Sequence, residues 1–227
     1  MNLSDHEKAW LGRKWLEAGL GEHASVAAFA YLVLDLVGLG APPHLIRGAI
    51  RAMEDEVEHA CLCFGVAREF NGAPASPGPM PLPNRFGNRE PAIVLESAIR
   101  EGCFEEVISA ECALAACRRA VDPRIRTVLE RIATDETRHA DFSWRAVEWI
   151  LESHVGLRPL AIAIFSAAFE AQRDIELASD TDPPLAAECY GHLSGESRRE
   201  VRQRTIDHVI WPRARKLLDT ARFGASS

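Results

Sequence analysis

Residues 55–60 read Asp-Glu-Val-Glu-His-Ala, and residues 135–140 read Asp-Glu-Thr-Arg-His-Ala. The two stretches share one pattern, D-E-x-x-H-A. In an α-helix, side chains three positions apart lie on one face, about one turn along. Glu56 therefore projects beside His59, and Glu136 beside His139. A carboxylate oxygen and an imidazole nitrogen held side by side can ligate one metal ion, and the second carboxylate oxygen is free to reach another. A single such pair carries little weight, because Glu and His are common on helices and often meet at surfaces. Two copies with the same flanks carry much more.

The neighbours indicate which way these residues face. Glu56 shares its helical stripe with Ala52, Met53, Ala60 and Cys63, and Glu136 shares its own with Ile132, Ala133, Ala140 and Ser143. Both acids lie on small or apolar stripes and point inward. Buried charges without partners are very costly, so something positive must meet them. Two further acids sit in matching contexts. Glu22 is flanked by Ala18, Gly19, Ser25, Val26 and Phe29, and Glu106 by Gly102, Cys103, Ser109, Ala110 and Ala113. Glu105 is the rival to Glu106, but its helical neighbours Glu101, Ile108, Ser109 and Cys112 form a more polar face. Glu17 is the rival to Glu22, with Arg13 and Lys14 beside it. The expected metal-binding and catalytic set is Glu22, Glu56, His59, Glu106, Glu136 and His139. Four carboxylates balance two divalent ions and leave a neutral site in an apolar surround. Oxygen and imidazole donors suit iron or manganese, and zinc also fits.

Working outward, the chain reads as helices with weak strand signals. Ser4 to Glu7 is a capping box that opens an apolar stripe running to the stop signals Gly38 and Gly40. Pro43 opens a second helix that ends near Asn71-Gly72. Residues 71–90 carry five prolines and read as a long irregular connection. At about 3.1 Å per residue such a segment can travel the length of a bundle. A third helix opens at Pro91 and runs to Ala120, and Asp122-Pro123 starts a fourth that reaches about His154. The pattern predicts an all-α fold: a four-helix bundle over residues 1–155, built as two hairpins joined by one long crossover. Residues 156–227 are expected to be a helical extension packed on it, with helices over 159–177 and 196–219. The last should be bent or broken at Pro212.

Composition narrows the function classes. The 227 residues are 47% hydrophobic, enough for one sizeable core. A net charge of −7 argues against a general nucleic-acid binder. No uninterrupted apolar run of about 18 residues occurs, and the polar opening MNLSDHEKAW reads as no secretion signal. Six cysteines without a C-x-x-C pair fit reduced thiols, so a cytoplasmic setting is the default expectation. His23 reads as a surface residue. Asp55 and Asp135 are either partners of histidines on neighbouring helices or solvated acids. Cys63 and Cys103 read as packing residues. The arginines at 198, 199, 202, 204, 213 and 215 read as a solvated face paired with Glu196, Glu200 and Asp207.

Four stretches, GEHASVAAF (21–29), DEVEHA (55–60), GCFEE (102–106) and DETRHA (135–140), resemble the ferritin-like superfamily of di-iron carboxylate proteins. That group includes rubrerythrins, bacterioferritins and bacterial di-iron oxygenases. The resemblance covers about residues 5–154. It implies two iron ions bridged by Glu56 and Glu136, with Glu22 and Glu106 as terminal ligands and one ion on each of His59 and His139. The chain lacks the cysteine tetrad of typical rubrerythrins. Two intact E-x-x-H motifs favour a catalytic site over simple storage. Tyr31, nine residues from Glu22, falls on the opposite face of its helix, against a stable-radical role.

The expected function is a di-iron carboxylate oxidoreductase that activates dioxygen or peroxide. A small-molecule substrate, an external electron donor and a homo-oligomer are the expected partners. Iron handling as a ferroxidase is the first alternative, and a structural bundle with a metal staple is another. One ferritin-like branch hydroxylates tRNA, and the acidic balance argues against that role here.

Overall fold

The computed structural model describes residues 3–82, 90–173, 184 and 186–219. These form six helices, and there is no strand among the described residues. Helix α1 spans Asp5–Gly38 and α2 spans Pro43–Asn71. Helix α3 covers residues 91–119 and α4 spans Pro123–Ser153. Helix α5 spans Arg158–Arg173, and α6 covers residues 195–219.

The boundaries follow from local chemistry. The Ser4 backbone N–H donates to Glu7 Oε2 at 2.7 Å, while the Glu7 N–H donates to Ser4 Oγ at 3.3 Å, closing the capping box. Gly72 ends α2 at φ 69°, a left-handed cap that glycine adopts without strain. Asp122 caps α4 by accepting from the Arg124 N–H at 2.9 Å. Residues 72–82 have no regular structure, and 83–89, the rest of the expected crossover, lie outside the described residues.

Helix α3 departs from the expected regular helix. Its middle, Ala98–Glu106, is a π-helix between α-helical flanks Pro91–Ser97 and Val107–Arg119. The final helix also differs from expectation. It runs on through Pro212 without a break, and the irregularity is a π-turn at Ile206–Ile210 just before it. The missing proline N–H falls where the ladder has already been rearranged.

Helix α1 packs along α2, α3 packs along α4, and α2 packs on α4. The six residues of interest sit between two apolar plugs of this helical bundle. At one end Trp10, Trp15, Cys63, Val66, Leu129 and Ile132 pack together. At the other, Phe29, Leu36, Leu45, Ala52, Phe142 and Ala146 do so. Glu22 lies between Trp15 and Phe29 on α1. Glu56 and His59 lie between Ala52 and Cys63 on α2, and Glu136 and His139 between Ile132 and Phe142 on α4. A third cluster joins α3 and α4 to α5 and α6 through Phe104, Trp144, Phe165 and Ile210.

The arginines of α6 pair differently from expectation. Arg202 meets Glu105 at 3.0 Å, Arg204 meets Glu111 at 3.9 Å, and Arg213 meets Asp141 at 2.6 Å. They reach across to α3 and α4 rather than along their own helix. By length and composition α1 is apolar enough to cross a membrane, with a mean hydropathy of 1.4 over its most apolar 18 residues. It nevertheless carries Glu22 into the bundle.

Candidate metal centre

Helices α2 and α4 each bring a glutamate and a histidine into the core. Glu56 is 1% exposed, His59 0%, Glu136 3% and His139 1%. Glu22 from α1 and Glu106 from α3 close in from the other side, both only partly exposed. All six residues named from the sequence thus meet in one place. Their donor atoms form two groups, each with every atom within 4.8 Å of the others. One group is Glu22, Glu56, His59 and Glu136, and the other is Glu56, Glu106, Glu136 and His139. Glu56 and Glu136 belong to both.

The inward distances are those of groups arranged around something else. His59 Nδ1 lies 3.6 Å from Glu56 Oε2, 3.6 Å from Glu22 Oε2 and 3.5 Å from Glu136 Oε1. His139 Nδ1 lies 3.1 Å from Glu56 Oε1 and 3.6 Å from Glu106 Oε2. Four of these atoms, Glu56 Oε2, His59 Nδ1, Glu106 Oε2 and His139 Nδ1, are fully buried without a hydrogen-bond partner. Orphaned buried polar atoms are rare and costly. Oxygen and imidazole donors converging with unused lone pairs fit a bound cation, and each group can hold a metal ion.

The outward sides of the imidazoles are anchored. His59 Nε2 lies 3.2 Å from Asp135 Oδ2, and His139 Nε2 lies 3.1 Å from Asp55 Oδ2. An acid on Nε2 holds a proton there and turns Nδ1 toward the cluster, where it can ligate a cation once the ring is neutral. Of the two roles open to Asp55 and Asp135, the structure thus selects partners of histidines. Two arginines brace these acids. Arg138 Nη2 donates to Asp55 Oδ2 at 2.7 Å and to Asp135 Oδ1 at 2.8 Å, and Arg131 Nε donates to Asp135 Oδ2 at 2.5 Å. Sequence inspection missed this brace. Its signal was present, because Arg131 and Arg138 stand four before and three after Asp135 on one helical face.

Electrostatics without an ion are crowded. Burial raises Glu22 to about 7, helped by the charges of Glu136 and Glu56 and opposed by His59. Burial likewise raises Glu136 to about 8, with Glu106 and Glu56 adding to it. Burial disfavours the His59 imidazolium, but Glu136, Glu22 and Glu56 override it and push it to about 12. The same contest, decided by Glu106 and Glu56, takes His139 to about 10. Burial also opposes ionisation of Glu56, yet His139, His59 and Glu22 outweigh it and hold it at about 2. The cluster therefore holds protons where a cation would otherwise supply the positive charge.

Of the two adjacent acids, only Glu106 belongs to a donor group. Glu106, the last residue of the π-helix, faces the cluster. Glu105 turns outward, where it accepts from Gln172 Nε2 at 3.1 Å and from Arg202. Gly102, inside the same stretch, lies so close to α4 that a Cβ would come within 2.5 Å of Ser143 Cβ. Glu17 pairs with Lys14 at 2.9 Å on the surface. Tyr31 lines, with Phe29 and Leu32, a cavity that also has Glu106 on its wall. Helices α1 and α3 stand apart above the cluster, and the opening between them is lined by Ser25, Ser109, Glu22 and Glu106.

No protein-family model matches the chain, no curated protein matches it, and no solved structure matches it.

Proposed function

We propose that this chain is a ferritin-like di-iron carboxylate oxidoreductase that acts with dioxygen or peroxide. The single observation that carries the proposal is the pair of four-residue donor groups sharing Glu56 and Glu136. Carboxylate–histidine pairs on facing helices of a bundle are the ligand set of di-iron and di-manganese proteins. Glu22 and His59 would hold one ion, Glu106 and His139 the other, and Glu56 and Glu136 would span both. Iron held by these residues would supply electrons to the oxidant, with an external donor as their source.

The protein's own contribution is placement. Asp55 and Asp135 keep both Nδ1 atoms aimed inward, and Arg131 and Arg138 hold those acids in place. Apolar residues flank the cluster on both sides. The gap between α1 and α3 gives a small oxidant its approach.

Iron handling is a second reading that the same donor groups allow. Assembly into a closed shell with mineral formation would select that reading over the first.

Metal content of protein made in iron-supplemented cells tests the proposal, with Glu56→Ala/Glu136→Ala as control. About two iron atoms per chain, lost in the double variant, is the expected result. No iron in either form after anaerobic Fe(II) loading overturns it.

A further inference from the structure

Beside the cluster lies a second cavity, of about 320 Å³, between α1, α3, α4 and the segment leading into α6. Its walls are mostly apolar, with Trp15, Cys63, Ala113, Leu129, Ile132 and Leu193, and its polar lining is Glu22, Ser109, His192 and Arg198. It meets the opening above the cluster at Ala18, Glu22 and Ser109, which line both. Apolar cavities of about 300 Å³ or more with a few placed polar groups are the usual form of small-molecule sites.

The wall from the C-terminal segment is fixed in place. Trp15 Nε1 donates to the Tyr190 carbonyl at 3.1 Å, and the Val121 N–H donates to the Cys189 carbonyl at 2.9 Å. Gly191 sits at φ 92° with its Cα against Trp15, where a Cβ would come within 2.8 Å of the indole. This backbone conformation and this close approach both require glycine. The segment then enters α6, and Arg198 on its first turns lines the cavity.

Arg202, Arg204 and Arg213 are each paired with a carboxylate of α3 or α4. Arg198, Arg199 and Arg215 have no ion pair among the described residues, and of these three only Arg198 lines the cavity. The cavity thus has Glu22 where it meets the cluster and the cationic Arg198 elsewhere on its wall. Arg198 attracts an anionic head, leaving the apolar body to extend toward Glu22.

Resting on the oxidoreductase reading, we propose that this cavity is the substrate pocket and that it takes a small amphipathic carboxylic acid, with its carboxylate on Arg198. A neutral or cationic molecule of the same shape lacks that contact.

The test is calorimetric binding of octanoate, octanol and octylamine to the full metal-free chain, with iron content measured separately. Octanoate is expected to bind best. Arg198→Ala is expected to weaken it about tenfold while leaving octanol unchanged. Ala113→Phe, which fills the cavity, is expected to abolish binding of all three, with the melting temperature reporting that the chain still folds. Equal affinity for octanoate and octanol, preference for octylamine, or an Arg198→Ala variant that binds octanoate normally overturns the assignment. Because binding is read without metal, a chain that takes up octanoate but no iron ends the oxidoreductase reading and leaves the pocket standing.

Discussion

His59 on α2 points its Nε2 at Asp135 on α4, 3.2 Å away, and so turns its Nδ1 toward the acids of the cluster. Asp135 is 3% exposed and is also held by Arg131 and Arg138. Removing it as Asp135→Ala frees the ring to change tautomer and leaves a buried N–H without an acceptor. Outer partners of metal-bound histidines typically contribute 10–100-fold to affinity, so a loss of about that size is expected. Competition with a chelator measures it, and unchanged affinity would show that His59 needs no anchor.

Glu106→Ala and Glu105→Ala should separate sharply although the residues are adjacent. Glu106 belongs to a donor group, whereas Glu105 is half-exposed and tied to Arg202 and Gln172. Glu106→Ala is expected to lower the metal content from about two ions toward one. Glu105→Ala is expected to leave it unchanged and to cost about 0–1 kcal/mol, as exposed ion pairs do. Metal analysis and thermal melts of both variants decide the matter.

The metal-free protein should lose stability as pH rises. Glu22 and Glu136 titrate at about 7 and 8 in the fold, above the usual carboxyl value of 4.5. His59 and His139 titrate above the usual imidazole value of 6.5. The folded chain therefore binds more protons than the unfolded chain above about pH 4.5. The contribution of the acids is fully present below that pH and is lost as pH rises through 7 and 8. The histidine contribution begins to fall above 6.5. The melting temperature of metal-free protein is expected to drop between about pH 5.5 and pH 8.5. Metal binding displaces these protons, so metal affinity should rise over the same range. A metal-free melting temperature that climbs with pH would contradict the proton inventory.

Gly102→Ala probes the π-helix. The new methyl would meet Ser143 Cβ at 2.5 Å, and neither partner is the end of a flexible side chain. Separating α3 from α4 there moves Glu106 away from His139. A destabilisation of about 1–3 kcal/mol is expected, together with weakened metal binding. Denaturant unfolding checks the first effect and metal titration the second.

The helices were legible because their signals are local. Ser4 with Glu7, Pro43, Gly72 and Asp122-Pro123 mark ends through chemistry within four residues. The inward set was legible because two identical patterns lay on apolar stripes. The π-helix was not, and within it Gly102 makes a close approach to Ser143, 41 positions on in the chain, that no local spacing announces. The partners of α6 were not either. Arg202, Arg204 and Arg213 find Glu105, Glu111 and Asp141 across the fold, while helical spacing pointed to Glu196, Glu200 and Asp207. The role of Asp55 and Asp135 was half legible, since the sequence supplied both acids and only packing supplied the ring each one meets.

Asp135 serves His59 as Asp55 serves His139, each acid on one hairpin and its ring on the other. Contacts in which residue i meets j while j's counterpart meets i's are the mark of a twofold axis. The pairing therefore treats the α1–α2 and α3–α4 hairpins symmetrically, and Glu56 and Glu136 are the two acids common to both donor groups. The π-helix of α3, which has no equivalent in α1, is where that symmetry breaks, and it makes the Glu106 side of the centre unlike the Glu22 side.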